Sequence, residues 1–222
     1  MKEYEVFVKE IIMNYKDKYF EDPEKYSIPI IYKDEQIGRL RPIPSEIKGD
    51  AINDIALQTK WRNMHKNTFF VEPFIATEER TLNWLKEIYF TNAERIIFMI
   101  EAIDNKAIGH LGFEFFDFNR KTCEYGRLLR GDFSPIENQK KVNLIEHAQK
   151  SFLDWGFNTL ELEIISGRLF ADNWLVRRLH DKFGFIIVEE FTIKKSGNIE
   201  NLLKIELTRD KFNSLFKKKT KN

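Results

Sequence analysis

Cysteine is almost absent from this chain of 222 residues. Cys123 stands alone, so no intrachain disulfide can form, which fits a reducing compartment. Long apolar runs are missing too: none reaches the roughly 18 residues that span a bilayer, so no membrane partner is expected. The opening stretch MKEYEVFVKEIIMNYKDKYF carries charges throughout and lacks the apolar centre of a secretion signal; a cytoplasmic protein is expected. There is little net charge: 36 Lys and Arg against 35 Asp and Glu leave +1. No global field gathers nucleic acid or an anionic surface, so any anion site must be local. His65, His110, His147 and His180 show no metal-ligand spacing, and one cysteine cannot complete a zinc site, so no metal is expected. GxGxxG, Walker and nucleophile-elbow signatures are all lacking. Nucleic acid would also want a basic stripe or an aromatic platform; Phe113, Phe115, Phe116 and Phe118 read instead as a strand packed on both faces.

What is present is core-forming material. Hydrophobic residues make up 42% and include twenty phenylalanines, enough for one aromatic-rich domain with an extension. Tyr4, Phe7, Val8, Ile11, Ile12, Tyr15 and Tyr19 form one stripe of a helix over 2–20, which Asp22-Pro23 ends. IPIIY and IGRLRPI read as short strands, and 50–66 and 77–90 as helices, the second capped by Thr77. RIIFMIEAI, AIGHLGFEFF and TCEYGRLLR are joined by short polar turns and predict an antiparallel meander. A helix through Trp155 follows, with Val142, Ile145, Ala148, Phe152 and Trp155 on its apolar face. Then come the strand LELEII (160–165), a helix over about 174–183, and a hairpin turned by KKSGN. The crossover helix makes LELEII parallel to 122–130, so the fold class is α/β: a mixed sheet with one parallel junction, flanking helices and a crevice where neighbouring strands diverge.

Two segments carry candidate chemistry. The loop after Arg130 leads to a helix N-terminus, whose free N–H groups suit phosphate oxygens; Gln139, Lys140 and Lys141 would lie near it. Ser134-Pro135-Ile136-Glu137 also fits a capping box, which would set a carboxylate beside that anion site; a turn at 134–137 and a helix from near Asn138 is the preferred register. In DNWLVRRLHDKFGF (172–185), Asn173 is the natural cap, Leu175, Leu179 and Phe183 form the expected buried row, and Gly184 ends the helix. His180 falls on the flank of that row, and an imidazole is one of few groups able to donate a proton near neutral pH.

With those residues in view, the chain resembles the GNAT superfamily (Gcn5-related N-acetyltransferases) over about 37–212. The likeness is carried by KAIGHLGFEFFDFNRKTCEYGRLLRG, by the helix before LELEII and above all by ADNWLVRRLHDKFGF, which resembles the family's dN-x-x-a-x-x-L-Y-x-k-x-GF ending. WRNMHKNTFF and TEERTLNWL resemble substrate-side helices of the branch that acts on protein N-termini, antibiotics and nucleotide-linked amino sugars. RLLRG with FLDWGFNTLELEI leans toward the amino-sugar enzymes. Two positions depart from the family pattern. The pyrophosphate loop, normally Q/R-x-x-G-x-G/A, reads NQKKVN without glycine, and the helix tyrosine is His180.

The resemblance implies acetyl-CoA as cosubstrate and direct attack by a small-molecule amine, without an acyl-enzyme. It places coenzyme contacts at Leu128, Leu129, Arg130, Gln139, Lys140, Lys141, Val142, Asn143 and Asn173, gives the leaving thiolate's acid to His180, and offers Glu124, then Glu114, as base, with Glu101 preceding them. A nucleotide-linked amino sugar is the first acceptor implied. Protein N-termini or aminoglycosides are the second, which an acidic groove would favour, and a weakly catalytic acyl-CoA-binding protein is the third reading. Residues 1–36 are expected to form an extension that packs on the core or pairs with a second copy as a homodimer, 37–212 the acetyltransferase domain, and 213–222 a basic tail.

Overall fold

The structure, a computed structural model, describes residues 2–133, 137 and 140–216. Eight strands form one open sheet: β1 (Ile28–Tyr32), β2 (Glu35–Pro42), β3 (Ile96–Ala102), β4 (Ala107–Asp117), β5 (Thr122–Arg130), β6 (Ile164–Phe170), β7 (Ile186–Lys195) and β8 (Asn198–Thr208). Their order is β1-β2-β3-β4-β5-β6-β8-β7, and β5–β6 is the parallel pair, the junction the crossover predicts. The first helices are α1 (Lys2–Asp17), α2 (Asp54–Met64) and α3 (Glu78–Trp84), which runs on as a π turn over Leu85–Tyr89. The later ones are α4 (Leu144–Asn158), α5 (Trp174–Asp181) and α6 (Arg209–Phe216). No helix of the described residues is long and apolar enough to cross a membrane. The α6 helix runs through the expected boundary at 212, and residues 217–222 of the expected tail lie outside the described residues.

Each face of the sheet has its own apolar cluster. On one, α1 and α4 pack on Phe98, Phe113 and Tyr125, and Phe152 stacks on Phe113 with centroids 4.0 Å apart. The stripe of α1 seats Val8 and Ile12 there, each fully buried, worth about 1.5–3 kcal/mol apiece relative to exposure. Tyr4 Oη donates to Leu160 O (2.7 Å) and Trp155 Nε1 donates to Tyr15 Oη (3.0 Å), fixing the register of that helix. On the other face, Trp61 of α2, with Leu85 and Tyr89 beyond α3, packs on Ile97, Met99 and Leu129.

A buried ion network ties α2 to the sheet. Arg41 of β2 reaches Asp54, the first residue of α2, at 2.9 and 2.6 Å, and Glu101 of β3 at 2.5 Å. Glu101 also accepts from Arg39 (2.7 Å). This carboxylate is therefore a structural anchor.

Several expected boundaries shift, for local reasons. The strand read at 160–165 begins at Ile164: Glu161 has φ 55, and Leu160 and Leu162 turn inward as loop residues. The crossover helix runs from Leu144: Glu137 and Lys140 are helical too, but Lys141 takes φ 52, which an α-helix cannot contain, and Asn143 then caps a new start. Residues 134–136, part of the expected turn, lie outside the described residues, as do Asn138, the expected helix start, and Gln139. Phe115 is 59% exposed at φ 56, so β4 is not packed on both faces there. The final hairpin turns at Ser196 (φ 49) and Gly197 (φ 82), the pair of positive values a two-residue hairpin needs.

Candidate functional site

The parallel pairing of β5 with β6 stops at Tyr125–Gly167. Beyond that rung β5 follows β4 as far as Gly109–Arg130, while β6 follows β8 to Phe170–Leu202. The main chain of 126–130 thus loses its β6 neighbour and lines a split in the sheet. Arg127, at φ 52, bulges β5 where its register with β4 slips. Gly131 then lets the strand end pass under α2: a Cβ there would lie 2.0 Å from the Trp61 indole. His65 Nε2 reaches Arg130 O at 2.8 Å and closes this corner.

On the α4 side, the split meets the start of that helix. Asn143 Oδ1 accepts from Glu146 N at 3.3 Å. Glu137 also sits there: its Oε1 accepts from Leu144 N (3.2 Å), and its Oε2 from Arg130 Nη2 (2.8 Å). The helix N-terminus and Arg130 therefore already hold a carboxylate, the chemistry expected of an anion site. Val142 is buried, whereas Lys140 leans away to an ion pair with Glu35, and Lys141 is exposed. Leu128 packs toward the α4 face and Leu129 toward the α2 face.

The α5 helix lies next to the last β5–β6 rung. Asn173 caps it, accepting from Val176 N at 3.3 Å. Of the expected buried row, Phe183 is buried and Leu179 packs on the core, but Leu175 does not. Leu175 is 63% exposed, and His180, expected on the flank, is buried at 6%. The cause is a polar and aromatic clasp: Gln149 Nε2 donates to His180 Nδ1 (2.8 Å), Tyr125 stands edge-on at 5.5 Å, and Phe185 lies 5.0 Å away. With Nδ1 accepting, the ring proton resides on Nε2. Burial pushes the His180 pKa down to about 4, so the ring is neutral at pH 7. A ring in this state can offer an N–H hydrogen bond but holds no surplus proton.

The α2–α3 side of the split carries the carboxylates. Glu114 and Glu124 face each other across β4 and β5. Glu114 is bridged by Arg95 (3.1 Å) and Arg127 (3.2 Å), and Glu124 by Arg168 (2.9 Å). Burial nevertheless raises the Glu124 pKa above its ordinary value, against the pull of Arg168 and with help from Glu114. The segment between α2 and α3 closes over this side. Lys195 Nζ donates to Asn67 O (2.6 Å), Ser196 Oγ donates to Glu72 Oε2 (2.6 Å), and Phe70 meets Phe170 at 5.1 Å.

Sequence reasoning missed Gln149, Tyr125 and the arginines on the α2–α3 side. Gln149 did leave a signal, since it is the polar residue inside the apolar row of α4 and is fully buried. Arg80 and Trp84 stand four apart on α3, a spacing that puts them on one face.

Among the described residues, no cluster of His, Cys, Asp and Glu could hold a metal. The sequence matches the family described as Acetyltransferase (GNAT) domain over residues 39–186. No curated protein matches it. The fold is similar to that of a GCN5-related N-acetyltransferase from Brucella melitensis, with TM-score 0.63 and 17% identity over 85% of each chain. It is also similar to mutant forms of the spermidine/spermine N-acetyltransferase SpeG from Vibrio cholerae, with TM-score 0.61 and 16% identity over 79% of this chain and 95% of that one. SpeG in complex with manganese ions aligns at TM-score 0.59 and 16% identity, covering 80% and 96%. At such identities the likeness is one of fold. The family match covers the split strand, the start of α4 and all of α5. This chain belongs to the GNAT acetyltransferase family and is an N-acetyltransferase.

Proposed function

We propose that the protein transfers an acetyl group from acetyl-CoA directly to a primary amine of a nucleotide-linked amino sugar. The observation that carries the reading is the split beyond Tyr125–Gly167, which opens onto a helix start already gripping a carboxylate. When bound, acetyl-CoA supplies an activated acetyl thioester. The freed main chain of 128–130 donates to its carbonyl oxygen, where negative charge grows. Leu144 N–H and Arg130, with Val142 and Asn143 beside them, take the pyrophosphate, and Asn173 borders the pantetheine arm. Lys140 and Lys141 add only screened positive charge, and Gln139 keeps the role the family resemblance implies. His180 Nε2–H donates to the departing sulfur. Glu124, whose pKa burial raises, takes the ammonium proton, and Glu114 lies opposite it across the β4–β5 ladder.

Two features support the sugar acceptor: the amino-sugar lean of RLLRG and FLDWGFNTLELEI, and an acceptor face on which Arg62 and Arg80 carry no ion pair among the described residues while Glu114 and Glu124 are each already paired with arginine. SpeG is a spermidine/spermine N-acetyltransferase. Such polycations, like aminoglycosides, would meet repulsion here. Thiol release from acetyl-CoA should therefore be measured with nucleotide-linked amino sugars, aminoglycosides, peptides with free N-termini and spermidine. Release with the sugar nucleotides alone is expected. Release with spermidine or aminoglycosides instead would refute the acceptor, and coenzyme binding without release on any amine would favour the weakly catalytic reading.

Glu137 provides a second test. It occupies the N–H and the guanidinium that a pyrophosphate would use, and its charge opposes an anion there. Glu137→Gln is expected to tighten acetyl-CoA binding by roughly twofold to fivefold, the range of a charge at a helix N-terminus. Calorimetric titration reads this directly, and weaker binding by the variant would show that Glu137 does not compete.

A further inference from the structure

Three arginines gather on aromatic rings on the α2–α3 side. Arg62 lies face-on to Phe69 (3.7 Å) and near Phe74 (4.7 Å); Arg80 lies over the same Phe74 ring (3.8 Å); Arg127 lies over Trp84 (4.4 Å). Among the described residues, Arg62 and Arg80 have no ion-pair partner, and Arg127 shares Glu114 with Arg95. The three are close enough that Arg127 and Arg80 both depress the Arg62 pKa, after burial. His110 beneath them is buried with Nδ1 unpartnered, and feels the same Arg127 and Arg62 charges. The ring contacts support these guanidiniums and leave the N–H edges of Arg62 and Arg80 to grip a planar or tetrahedral oxyanion, while Arg127 already turns Nε and Nη2 to Glu114 and adds charge beside them. Like charges held together on aromatic supports, with Glu114 shared between Arg127 and Arg95 and no ion pair for Arg62 or Arg80 among the described residues, are a costly arrangement that an anion would relieve. Thr59 and Thr81, with hydroxyls 2.7 Å apart, fix α2 against α3, so the grouping is built into the helix contact.

We propose that Arg62, Arg80 and Arg127 form a subsite for a phosphate or carboxylate group of the acceptor, on the face of the sheet opposite the α4 anion site. The inference rests on the reading of this side as the acceptor side, and it narrows the substrate class to amines that carry an anionic group beside the reacting nitrogen. Orientation follows from it: the anion docks between α2 and α3, and the amine is left to approach Glu124 at the split.

The test is titration of the full chain, saturated with acetyl-CoA, with inorganic pyrophosphate and separately with glutarate. Binding of at least one probe is expected. The double variant Arg62→Gln, Arg80→Gln should weaken it at least tenfold, and Arg62→Lys should keep part of it. The tighter probe names the source of the anion. No binding of either probe, binding unchanged in the double variant, or binding abolished by acetyl-CoA would each overturn the proposal; the last would mean that the probe sits in the coenzyme's own pyrophosphate site. Acetyl-CoA affinity, measured in the same series, reports separately on the acetyltransferase reading. If the coenzyme binds and neither probe does, only the subsite fails.

Discussion

Replacing His180 with phenylalanine is expected to lower turnover about a hundredfold, the usual loss when one hydrogen-bond donor to developing charge is removed. Phenylalanine keeps the buried ring volume against Tyr125 and Phe185 while discarding both nitrogens. Because the side chain acts on the departing sulfur, the KM for acetyl-CoA should stay near the unmodified value. Steady-state thiol release at saturating amine measures the split, and His180→Phe with full turnover would remove this residue from the chemistry. The pH dependence adds a readout that packing alone would not produce. His180 titrates near 4 in the fold against 6.5 as its ordinary value, so the unfolded chain binds the extra proton between those limits. Its contribution to stability is complete above pH 6.5 and is lost as pH falls toward 4. His110, pushed down to about 3 chiefly by burial, adds a term of the same sign. Acidification through this window should lower the melting temperature, and His180→Phe should flatten the dependence by one proton, about 1.4 kcal/mol per pH unit. Turnover, by contrast, should show no inflection near pH 6.5 from His180.

Arg41→Met is expected to produce the largest stability loss, roughly 3–5 kcal/mol, because Asp54 and Glu101 remain buried when their cation is gone. For a chain of this size that corresponds to a fall of roughly 6–20 °C in melting temperature. Arg39 still reaches Glu101, so Asp54 is the more exposed to the loss of its partner. The double variant Arg41→Met, Asp54→Leu should recover part of the difference, since removing both charges costs less than stranding one. A melting temperature within about 2 °C of the parent would contradict the network's anchoring role. The same anchor carries function: α2 brings Trp61, Arg62 and His65 to the split, so acceptor affinity should weaken along with stability.

The architecture was legible because local pattern and global fold agree. Two short polar turns fix the meander, a capped helix with buried Phe152 and Trp155 forces the crossover, and a parallel pair follows. Asn173, Thr77 and Gly184 act as their types suggest. Position within an element was less legible, since it depends on long-range contacts. The inward turn of His180 is set by Gln149, thirty-one residues earlier in the chain. The late start of α4 follows from a left-handed Lys141, a residue with no intrinsic preference for that conformation. The arginine grouping joins α2, α3 and β5, which no single stretch of sequence reveals. Glu137 was visible as a carboxylate at odds with an anion site, and that conflict proved to mark the place where it sits.

Hydrogen exchange with and without saturating acetyl-CoA tests the central claim most directly. The split predicts that amides of 126–130 and of 142–144 become protected together, with the β7–β8 hairpin turn unchanged. Equal exchange at 126–130 in the two states, while the coenzyme is present in large excess, would contradict the claim that this strand receives the thioester.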